Sequence, residues 1–575
     1  MKINMEDLQK VRKLFRSPAM GQVYRWSKCV HGRILWICII NVILVFCSLG
    51  VTLLTKELVD AAVSSQPELL VRYGLMLLGL VLVQLSLGFI LAWIRIKASS
   101  KLQRSLQGTL IRDILTKEYA GLKGYHSGEL VNRVFSDAGV VRGGVLGILP
   151  GILSTLISFI GAAAILIALD WRFVLLLAAA GLIGTVIVLF FRRPMKERHI
   201  RMQKAEDKLH ASIQETLENI RLIKASISEN RVFRTIDKRQ ETMEKEQVRQ
   251  GKFHALMNNS MGLMFTISWL FCMLWGCAAI FRGEMTYGSL AAMIQLIGRV
   301  QGPIASVVSI AGEIYRVIAS AERLMEVTDL PSETMGELMK DFDEIHIDHA
   351  TFRYEDGTDD VLREISCTIR KGDFAALTGT SGGGKTSLFQ LLLGIYPPTA
   401  GKVAFLKDSM ETAACRETRA LFAYVPQGNT LFSGTLRENL TMFTDEASEE
   451  QIREALRAAC IDDLAEEMGL DAELGERGVG ISEGQAQRVA VARALLTGAP
   501  ILLLDESTSA LDEETEARML KNISEMRDKT CLIVTHRKAA LAICDYRLHI
   551  TDGRMTRQTG MPEQEDPCIT TKSPI

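Results

Sequence analysis

The chain has 575 residues, of which 48% are hydrophobic and 23% are charged, and its formal net charge is −1. This length exceeds what a single hydrophobic core supports, so we expect two or more domains. The near-neutral charge provides no basic field for nucleic acid, and the composition excludes a disordered chain, a collagen-like fibre and a small disulfide scaffold. Eleven cysteines lack paired C-x-x-C spacing, which predicts packing residues in a reducing compartment rather than disulfides or zinc ligands.

Six long apolar runs occupy the first part of the chain. Each approaches the roughly 20 residues that a helix needs to cross about 30 Å of hydrocarbon, and a soluble helix is seldom apolar all round for so long. The first run is too long and starts too late for a cleavable signal peptide. We therefore predict six spanning helices, at residues 34–54, 73–94, 145–169, 173–191, 261–280 and 289–310.

The connections between these runs alternate between short and long. Those at 55–72, 170–172 and 281–288 are short, whereas 95–144 and 192–260 are long, polar and basic near their membrane ends. The segment before the first run is also basic, with Lys10, Arg12, Lys13, Arg16, Arg25, Lys28 and Arg33. Because Lys and Arg accumulate on the cytoplasmic side, we place both long loops, the N-terminus and everything after the sixth run in the cytoplasm.

The pattern changes near residue 345, where short β-rich runs begin to alternate with helical segments, as in an α/β domain. These runs lie at 345–352, 361–369, 374–377, 421–425, 501–504 and 531–534. The predicted fold class is an all-α six-helix transmembrane bundle followed by an α/β P-loop domain. We expect the transmembrane domain at 1–322, a linker at 323–343, the second domain at 344–560 and a frayed tail at 561–575.

A glycine-rich loop follows the strand predicted at 374–377 and precedes a helix. It consists of Gly379, Thr380, Ser381, Gly382, Gly383, Gly384, Lys385 and Thr386, and Ser387 continues into the helix. This is G-x-x-x-x-G-K-T, in which backbone N–H groups and a helix N-terminus surround nucleotide phosphates. The pattern predicts Lys385 as a positive charge on the phosphates and the Thr386 hydroxyl as a Mg²⁺ ligand.

A second apolar strand, at 501–504, ends in two acidic residues, Asp505 and Glu506. Asp505 lies at the carboxyl end of a buried parallel strand, where it can hold Mg²⁺ directly or through water. Glu506 is placed to polarise an attacking water. Together with the glycine-rich loop, the two acids predict hydrolysis of a nucleotide.

Ser482, Glu483, Gly484 and Gln485 resemble the signature motif of ATP-binding cassette (ABC) proteins. Other motifs of that family occur here in the family's order. Tyr354 resembles the aromatic residue on which adenine stacks, and Gln427 resembles the Q-loop glutamine. Residues 509–512 resemble the D-loop, and His536 resembles the switch histidine. With six spans before them, the whole chain resembles a half-transporter of the ABC exporter type.

This resemblance implies two cassettes that meet head to tail, as a homodimer or with a sister subunit. Each ATP would lie between the glycine-rich loop of one chain and Ser482, Gly484 and Gln485 of the other. Gln427 joins Thr386 and Asp505 as an implied Mg²⁺ ligand, Glu506 would orient water, and His536 would contact the γ-phosphate. Because both Glu506 and His536 are present, we expect ATP hydrolysis rather than an inactive cassette.

One residue departs from the family pattern: Glu483 stands where the commonest signature has glycine. A carboxylate there would slow hydrolysis if it pointed towards the nucleotide, and we expect it to point outward. The segments 125–133 and 215–230 resemble the two coupling helices of such exporters, with 427–439 as the expected docking surface.

Polar side chains within the spans are costly and by default face a cavity. The notable ones are Asn41, Gln84, Gln295 and Arg299, and no Asp or Glu lies within the six runs. One hypothesis is that Arg299 lines a cavity for a cargo bearing a carboxylate or phosphate. The alternative is that Arg299 is hydrated or reaches a helix carbonyl.

The leading interpretation is an ATPase that exports a small amphipathic molecule, peptide or lipid by alternating access. The alternatives are an importer on the same fold, as in siderophore uptake, and a nucleotide-gated channel or regulatory subunit. Since no presequence or peptidase segment is evident, we expect a multi-pass protein of a bacterial plasma membrane with both termini in the cytoplasm. No nucleic acid partner is expected.

Overall fold

The computed structural model describes residues 17–558, except 355–356, 358, 381, 445, 476–477 and 527–528; some side chains between 174 and 311, and that of residue 539, are also not described. Three predictions therefore lie outside the described residues: the basic residues Lys10, Arg12, Lys13 and Arg16, the phosphate-loop residue Ser381, and the tail at 561–575. The remainder divides into two units. One is formed by residues 17–115 with 125–329, and the other by residues 116–124 with 330–558.

The first unit is helical throughout. Ser17 caps its first helix, accepting a hydrogen bond from the Met20 amide, and Pro18 occupies the position where a missing N–H costs nothing. The helices are α1 (Pro18–Ser27), α2 (His31–Val63), α3 (Pro67–Thr116), α4 (Tyr119–Leu122), α5 (Ser127–Asn132), α6 (Ala138–Glu218), α7 (Ile220–Ala225), α8 (Glu229–Phe281) and α9 (Tyr287–Thr328). Of these, α4 belongs to the second unit.

All six predicted apolar runs lie within these long helices. The short connection predicted at 170–172 coincides with a break in α6: two helices meet at Asp170, whose backbone is not helical, with φ of −159° and ψ of 105°. The Asp170 carboxylate accepts hydrogen bonds from the Arg172 amide at 2.9 Å and the Trp275 indole at 3.1 Å. These bonds satisfy polar groups that the break between the two helices exposes.

Four helical segments of the described chain are long and apolar enough to cross a membrane: Pro18–Val63, Pro67–Thr116, Ser127–Phe173 and Glu229–Phe281. Much of their apolar surface faces outward; Phe89 on α3, for example, is 73% exposed. Inward-facing residues form two clusters, one around Ile37, Leu102 and Leu324 and the other around Leu166 and Leu296. A helical unit that is apolar both inside and outside suits a lipid environment.

The second unit is α/β, which confirms the predicted fold class of a helical unit followed by an α/β unit. Its strands are β1 (Glu344–Phe352), β2 (Leu362–Arg370), β3 (Phe374–Gly379), β4 (Ala400–Lys407), β5 (Met410–Ala413), β6 (Phe422–Val425), β7 (Gly434–Thr435), β8 (Glu473–Leu474), β9 (Ile501–Asp505), β10 (Thr530–Val534), β11 (Tyr546–Thr551) and β12 (Arg554–Gln558). Its helices after the strand β3 are α10 (Lys385–Leu392), α11 (Leu436–Thr441), α12 (Glu449–Ala458), α13 (Asp462–Met468), α14 (Glu483–Leu496), α15 (Glu513–Ser524) and α16 (Lys538–Leu541).

Two main sheets organise this unit. A four-stranded antiparallel sheet has the order β2-β1-β4-β5, and a six-stranded sheet has the order β12-β11-β3-β10-β9-β6. In the second sheet all neighbours are parallel except β12. The strands β3, β9 and β10 are buried along their whole length, as expected for parallel strands covered on both faces.

The two segments predicted as coupling helices lie in the first long loop and between two long helices. The predicted segment 215–230 forms the short helix α7 between the ends of α6 and α8. The predicted segment 125–133 belongs to the first unit, whereas the residues directly before it, Thr116–Gly124, belong to the second. Which part of this loop acts as a coupling helix stays a prediction.

Candidate functional site

The predicted site residues gather at one edge of the six-stranded sheet. In the register, Leu377 of β3 pairs with Val534 of β10, and Val534 pairs with Asp505 of β9. The carboxyl ends of parallel strands meet at the same edge, which is where ligands bind in open α/β sheets. The glycine-rich loop, the residues after Val534 and the acidic pair therefore emerge side by side, although they are far apart in the chain.

The glycine-rich loop needs its glycines for steric reasons. At Gly379 φ is +149°, and a Cβ atom would lie 2.2 Å from the Ile550 carbonyl oxygen. Gly384, with φ of +100°, caps α10, and a Cβ there would lie 2.7 Å from the Leu362 side chain. Only glycine fits such a backbone at low cost, so the loop can place its N–H groups close to a ligand.

Lys385 is only 7% exposed, yet its ammonium has hydrogen-bond partners. Its Nζ donates to the carbonyl oxygens of Gly379 and Thr380, both at 3.0 Å. A buried ammonium without partners would be strongly destabilising. The ammonium of Lys385 thus lies beside the backbone of the loop, where its positive charge would stabilise an anionic phosphate.

Asp505, at the end of β9, is 3% exposed. Burial raises the pKa of this carboxyl group and the nearby Glu506 charge adds to that, while hydrogen bonds from Thr386 and Tyr424 act in the opposite direction. A bound cation would relieve the cost of burying the ionised carboxylate. The oxygen donors of Thr386 and Asp505 fit Mg²⁺, which prefers hard oxygen ligands. Within the described residues, no three or more His, Cys, Asp or Glu side chains form a group that could hold a metal by themselves.

Glu506 has a left-handed backbone with φ of +49°. This conformation is uncommon for a non-glycine residue, and it costs free energy. Its carboxylate accepts a hydrogen bond from the Gln427 side-chain amide at 2.7 Å. Gln427 follows β6, the neighbour of β9, so the sheet order brings together two residues whose contact the sequence did not predict.

Tyr354 is half-buried next to the glycine-rich loop. Its hydroxyl lies 3.0 Å from the Ser387 hydroxyl and donates to the Gln390 side chain at 2.9 Å. Its ring packs nearly perpendicular to Phe352 and Tyr396. Ser387 therefore holds Tyr354 in place, and its buried hydroxyl is used by this contact rather than being presented to solvent.

The signature residues form the start of α14. Ser482 is the N-cap, accepting from the Gln485 amide while the Gln485 side chain accepts from the Ser482 amide. Glu483, the first helical residue, is exposed, and its orientation relative to a nucleotide of the dimer stays a prediction. A Cβ atom at Gly484 would lie 2.9 Å from the Ala510 carbonyl oxygen. The signature helix thus begins directly against the segment 509–512.

Three residues that are not among the predicted site residues hold this segment. Arg537 donates to the carbonyl oxygens of Ser509 at 2.7 Å and Leu511 at 2.6 Å, and its guanidinium pairs with the fully buried Glu516 at 3.0 Å. Gln487 accepts from the Ala510 amide at 3.1 Å. His536 itself is exposed. Arg537 was detectable as the neighbour of a predicted site residue, whereas Glu516 lies in an acidic run that carries no such signal.

In the first unit, the guanidinium of Arg299 has hydrogen-bond partners. Its guanidinium donates to the Ser48 carbonyl oxygen at 3.2 Å and also to the Ser48 hydroxyl. Gln295, one turn away, is exposed, and Asn41 donates to the Ile37 carbonyl oxygen at 2.7 Å. The hydrogen bond from Arg299 to the Ser48 carbonyl oxygen agrees with the alternative hypothesis, in which Arg299 reaches a helix carbonyl rather than a cargo.

Comparison with known proteins agrees with this geometry. A family model described as the ABC transporter transmembrane region matches residues 34–304, and one described as ABC transporter matches 362–509. The probable multidrug resistance ABC transporter ATP-binding/permease protein YheI of Bacillus subtilis (strain 168) is 30% identical over 386 residues, which is 66% of either chain. The lactococcin-A transport/processing ATP-binding protein LcnC of Lactococcus lactis subsp. lactis is 30% identical over 85% of this chain and 69% of its own length. A bacterial Atm1-family ABC exporter solved with ATP bound has the same fold, with a TM-score of 0.78, 21% identity and coverage of 92% of this chain and 96% of the other.

Proposed function

This chain belongs to the ATP-binding cassette (ABC) transporter family, and from that premise we propose that it moves a small amphipathic molecule, a peptide or a lipid out of the cytoplasm by alternating access. It is a membrane protein in which an ATPase unit is coupled to transport. The observation that carries the proposal is the common edge of β3, β9 and β10. There a phosphate-binding loop, a buried carboxylate and a hydrogen-bonded glutamate meet.

At this edge each side chain has a distinct task. Lys385 and the loop amides bind the phosphates, and the ring of Tyr354 stacks on the base. Glu506, oriented by Gln427, accepts the proton of an attacking water. Thr386, Asp505 and Gln427 would hold Mg²⁺, which when bound neutralises charge on the phosphate oxygens.

The family resemblance implies that the reaction needs a second cassette, and the signature helix of this chain begins against its own segment 509–512. We infer a dimer, with an identical chain or a sister subunit, in which Ser482, Gly484 and Gln485 face the nucleotide held by the other chain. His536 would then contact the γ-phosphate. Closure of two such interfaces converts nucleotide binding into a rigid-body motion.

The export direction is favoured over import, since the relatives are named as multidrug resistance and lactococcin-A transport proteins. A nucleotide-gated channel is disfavoured because Glu506 and His536 are both present. We place the protein in a bacterial plasma membrane with its termini in the cytoplasm, on the strength of the basic residues that flank the spans.

The proposal is tested with the purified chain in lipid vesicles. ATP hydrolysis is measured across panels of amphipathic cations, peptides and lipids, and we expect one class to stimulate it. In inside-out vesicles the stimulating cargo should accumulate within the lumen when ATP is added, and Glu506→Gln should prevent this. Accumulation only in right-side-out vesicles would contradict export, and an absence of ATP hydrolysis would contradict the assignment of the site.

A further inference from the structure

The segment Thr116–Gly124 is an integral part of the α/β unit. Its backbone pairs with the chain that leads into that unit: the Glu118 amide donates to the Pro331 carbonyl at 3.0 Å, and the Glu333 amide donates to the Thr116 carbonyl at 2.9 Å. The Lys117 ammonium adds a bond to the Leu330 carbonyl at 2.5 Å. The segment is therefore held in a defined place beside the base-binding region.

Two of its side chains reach the aromatic cluster around Tyr354. The ring of Tyr119 meets that of Tyr396 edge to face, with centroids 6.0 Å apart. Tyr396 in turn contacts Tyr354 at 5.5 Å. The ammonium of Lys123 lies over the Tyr354 ring, 4.1 Å from its centroid. Lys123 is otherwise exposed.

An ammonium in that position competes with a stacked base. Aromatic stacking needs direct access to a ring face, and Phe352 and Tyr396 already pack against this ring at 4.8 and 5.5 Å. The face under Lys123 cannot hold the ammonium and a base at the same time. Because the ring quadrupole attracts the ammonium, removing it has a cost even at an exposed site.

We propose that Lys123 is a displaceable cap on the base-binding face of Tyr354. Because the base must displace its ammonium, Lys123 weakens nucleotide binding. The segment Thr116–Gly124, which carries Lys123, therefore responds to whether a base is bound. This inference rests on the proposed nucleotide site. It concerns the base alone, since the phosphates are bound at the glycine-rich loop. The cap distinguishes an adenine nucleotide from a bare polyphosphate.

The test uses the full-length protein in lipid nanodiscs and two probes, the non-hydrolysable nucleotide AMP-PNP and inorganic tripolyphosphate. Lys123→Met keeps the length of the side chain but removes its charge. It should bind AMP-PNP about two- to fivefold more tightly than the parent protein, the range that an exposed cation–π contact supplies. Its affinity for tripolyphosphate should be unchanged.

Two variants serve as controls. Lys123→Arg retains a cation that stacks on aromatic rings, so its affinity for AMP-PNP should match that of the parent. Lys521→Met removes an exposed charge from α15, a helix that carries neither the glycine-rich loop nor Tyr354, and should change nothing. In a Tyr354→Leu background, Lys123→Met should lose its effect.

Equal or weaker AMP-PNP binding by Lys123→Met would overturn the cap. So would an equal change for tripolyphosphate, since it would reveal a general electrostatic effect on phosphates. If the parent protein binds neither probe, the proposed nucleotide site itself is wrong, which separates the two failures.

Discussion

The side-chain amide of Gln427 donates a hydrogen bond to the carboxylate of Glu506, with 2.7 Å between Nε2 and Oε2. The two residues follow adjacent parallel strands, β6 and β9. Glu506 also has a left-handed backbone, with φ of +49°. A strained backbone and a directed hydrogen bond at one residue restrict where its carboxylate can point, which is what a general base requires.

The first prediction concerns this carboxylate. Glu506→Gln should reduce phosphate release by about 100-fold or more, the range expected when a general base is removed. Because the glutamine keeps the shape and does not touch the glycine-rich loop, ATP binding should persist. Phosphate release and equilibrium nucleotide binding measure the two effects. Glu525→Gln, an exposed change at the end of α15, is the matched control, and undiminished turnover in Glu506→Gln would exclude this role.

The second prediction separates the capping role of Ser482 from its proposed role at the nucleotide. Ser482→Ala removes an N-cap, which costs about 1 kcal/mol, or about 2–4 °C in Tm for a domain of this size. Ser482→Asp retains a good cap and should preserve Tm, but its charge would repel the phosphates.

Both Ser482 variants should therefore lose ATP hydrolysis, and only the alanine variant should lose stability. Thermal unfolding followed by differential scanning calorimetry and a phosphate-release assay give the two measurements. Full hydrolysis by Ser482→Asp would mean that this hydroxyl does not face a nucleotide.

The third prediction concerns the unusual signature residue. Glu483 is exposed in the first turn of α14, where a carboxylate interacts favourably with the helix dipole by about 0.3–1 kcal/mol. Glu483→Gly should lower the Tm slightly and change the rate of ATP hydrolysis by less than about threefold, equivalent to under about 0.7 kcal/mol. A rate increase of tenfold would show that Glu483 points towards the nucleotide of the dimer and inhibits it.

The fourth prediction concerns cargo selectivity. The guanidinium of Arg299 is bonded to Ser48, so we expect Arg299→Gln to leave the preference between anionic and cationic cargo unchanged. Transport of two fluorescent cargos that differ only in charge measures this preference. Ser48→Ala removes the hydroxyl partner but keeps the carbonyl and serves as the control. A shift in preference of about fivefold, or about 1 kcal/mol, would instead support an anion-binding cavity at Arg299.

Within the six-stranded sheet, the strands recovered from the sequence are those formed by continuous apolar runs. The strands β3, β9 and β10 are short continuous apolar runs and were predicted, whereas β11 (Tyr546–Thr551) was not. In β11 only alternate residues are buried, so polar residues interrupt the apolar run. Its place between β3 and β12 depends on pairing with distant strands, which no local pattern contains.

The long loop before the third span shows a different limit. The segment 125–133 resembles a coupling helix, and the residues directly before it, Thr116–Gly124, belong to the α/β unit. Both segments are polar and helical, so composition does not distinguish them. The difference comes from backbone pairing of Thr116 and Glu118 with the chain at Pro331 and Glu333, more than 200 residues away.

By itself the sequence determined the spans, the glycine-rich loop, the acidic pair and the signature motif, because each depends on the spacing of neighbouring residues along one element. Only the tertiary structure decided which of these side chains touch. The Gln427–Glu506 contact joins residues 79 positions apart, and the Lys123–Tyr354 contact joins two residues of the α/β unit that are far apart in the chain. Such contacts follow from strand order and packing. Strand order depends on many interactions between distant residues whose free energies are minimised together, so a local sequence pattern does not contain it.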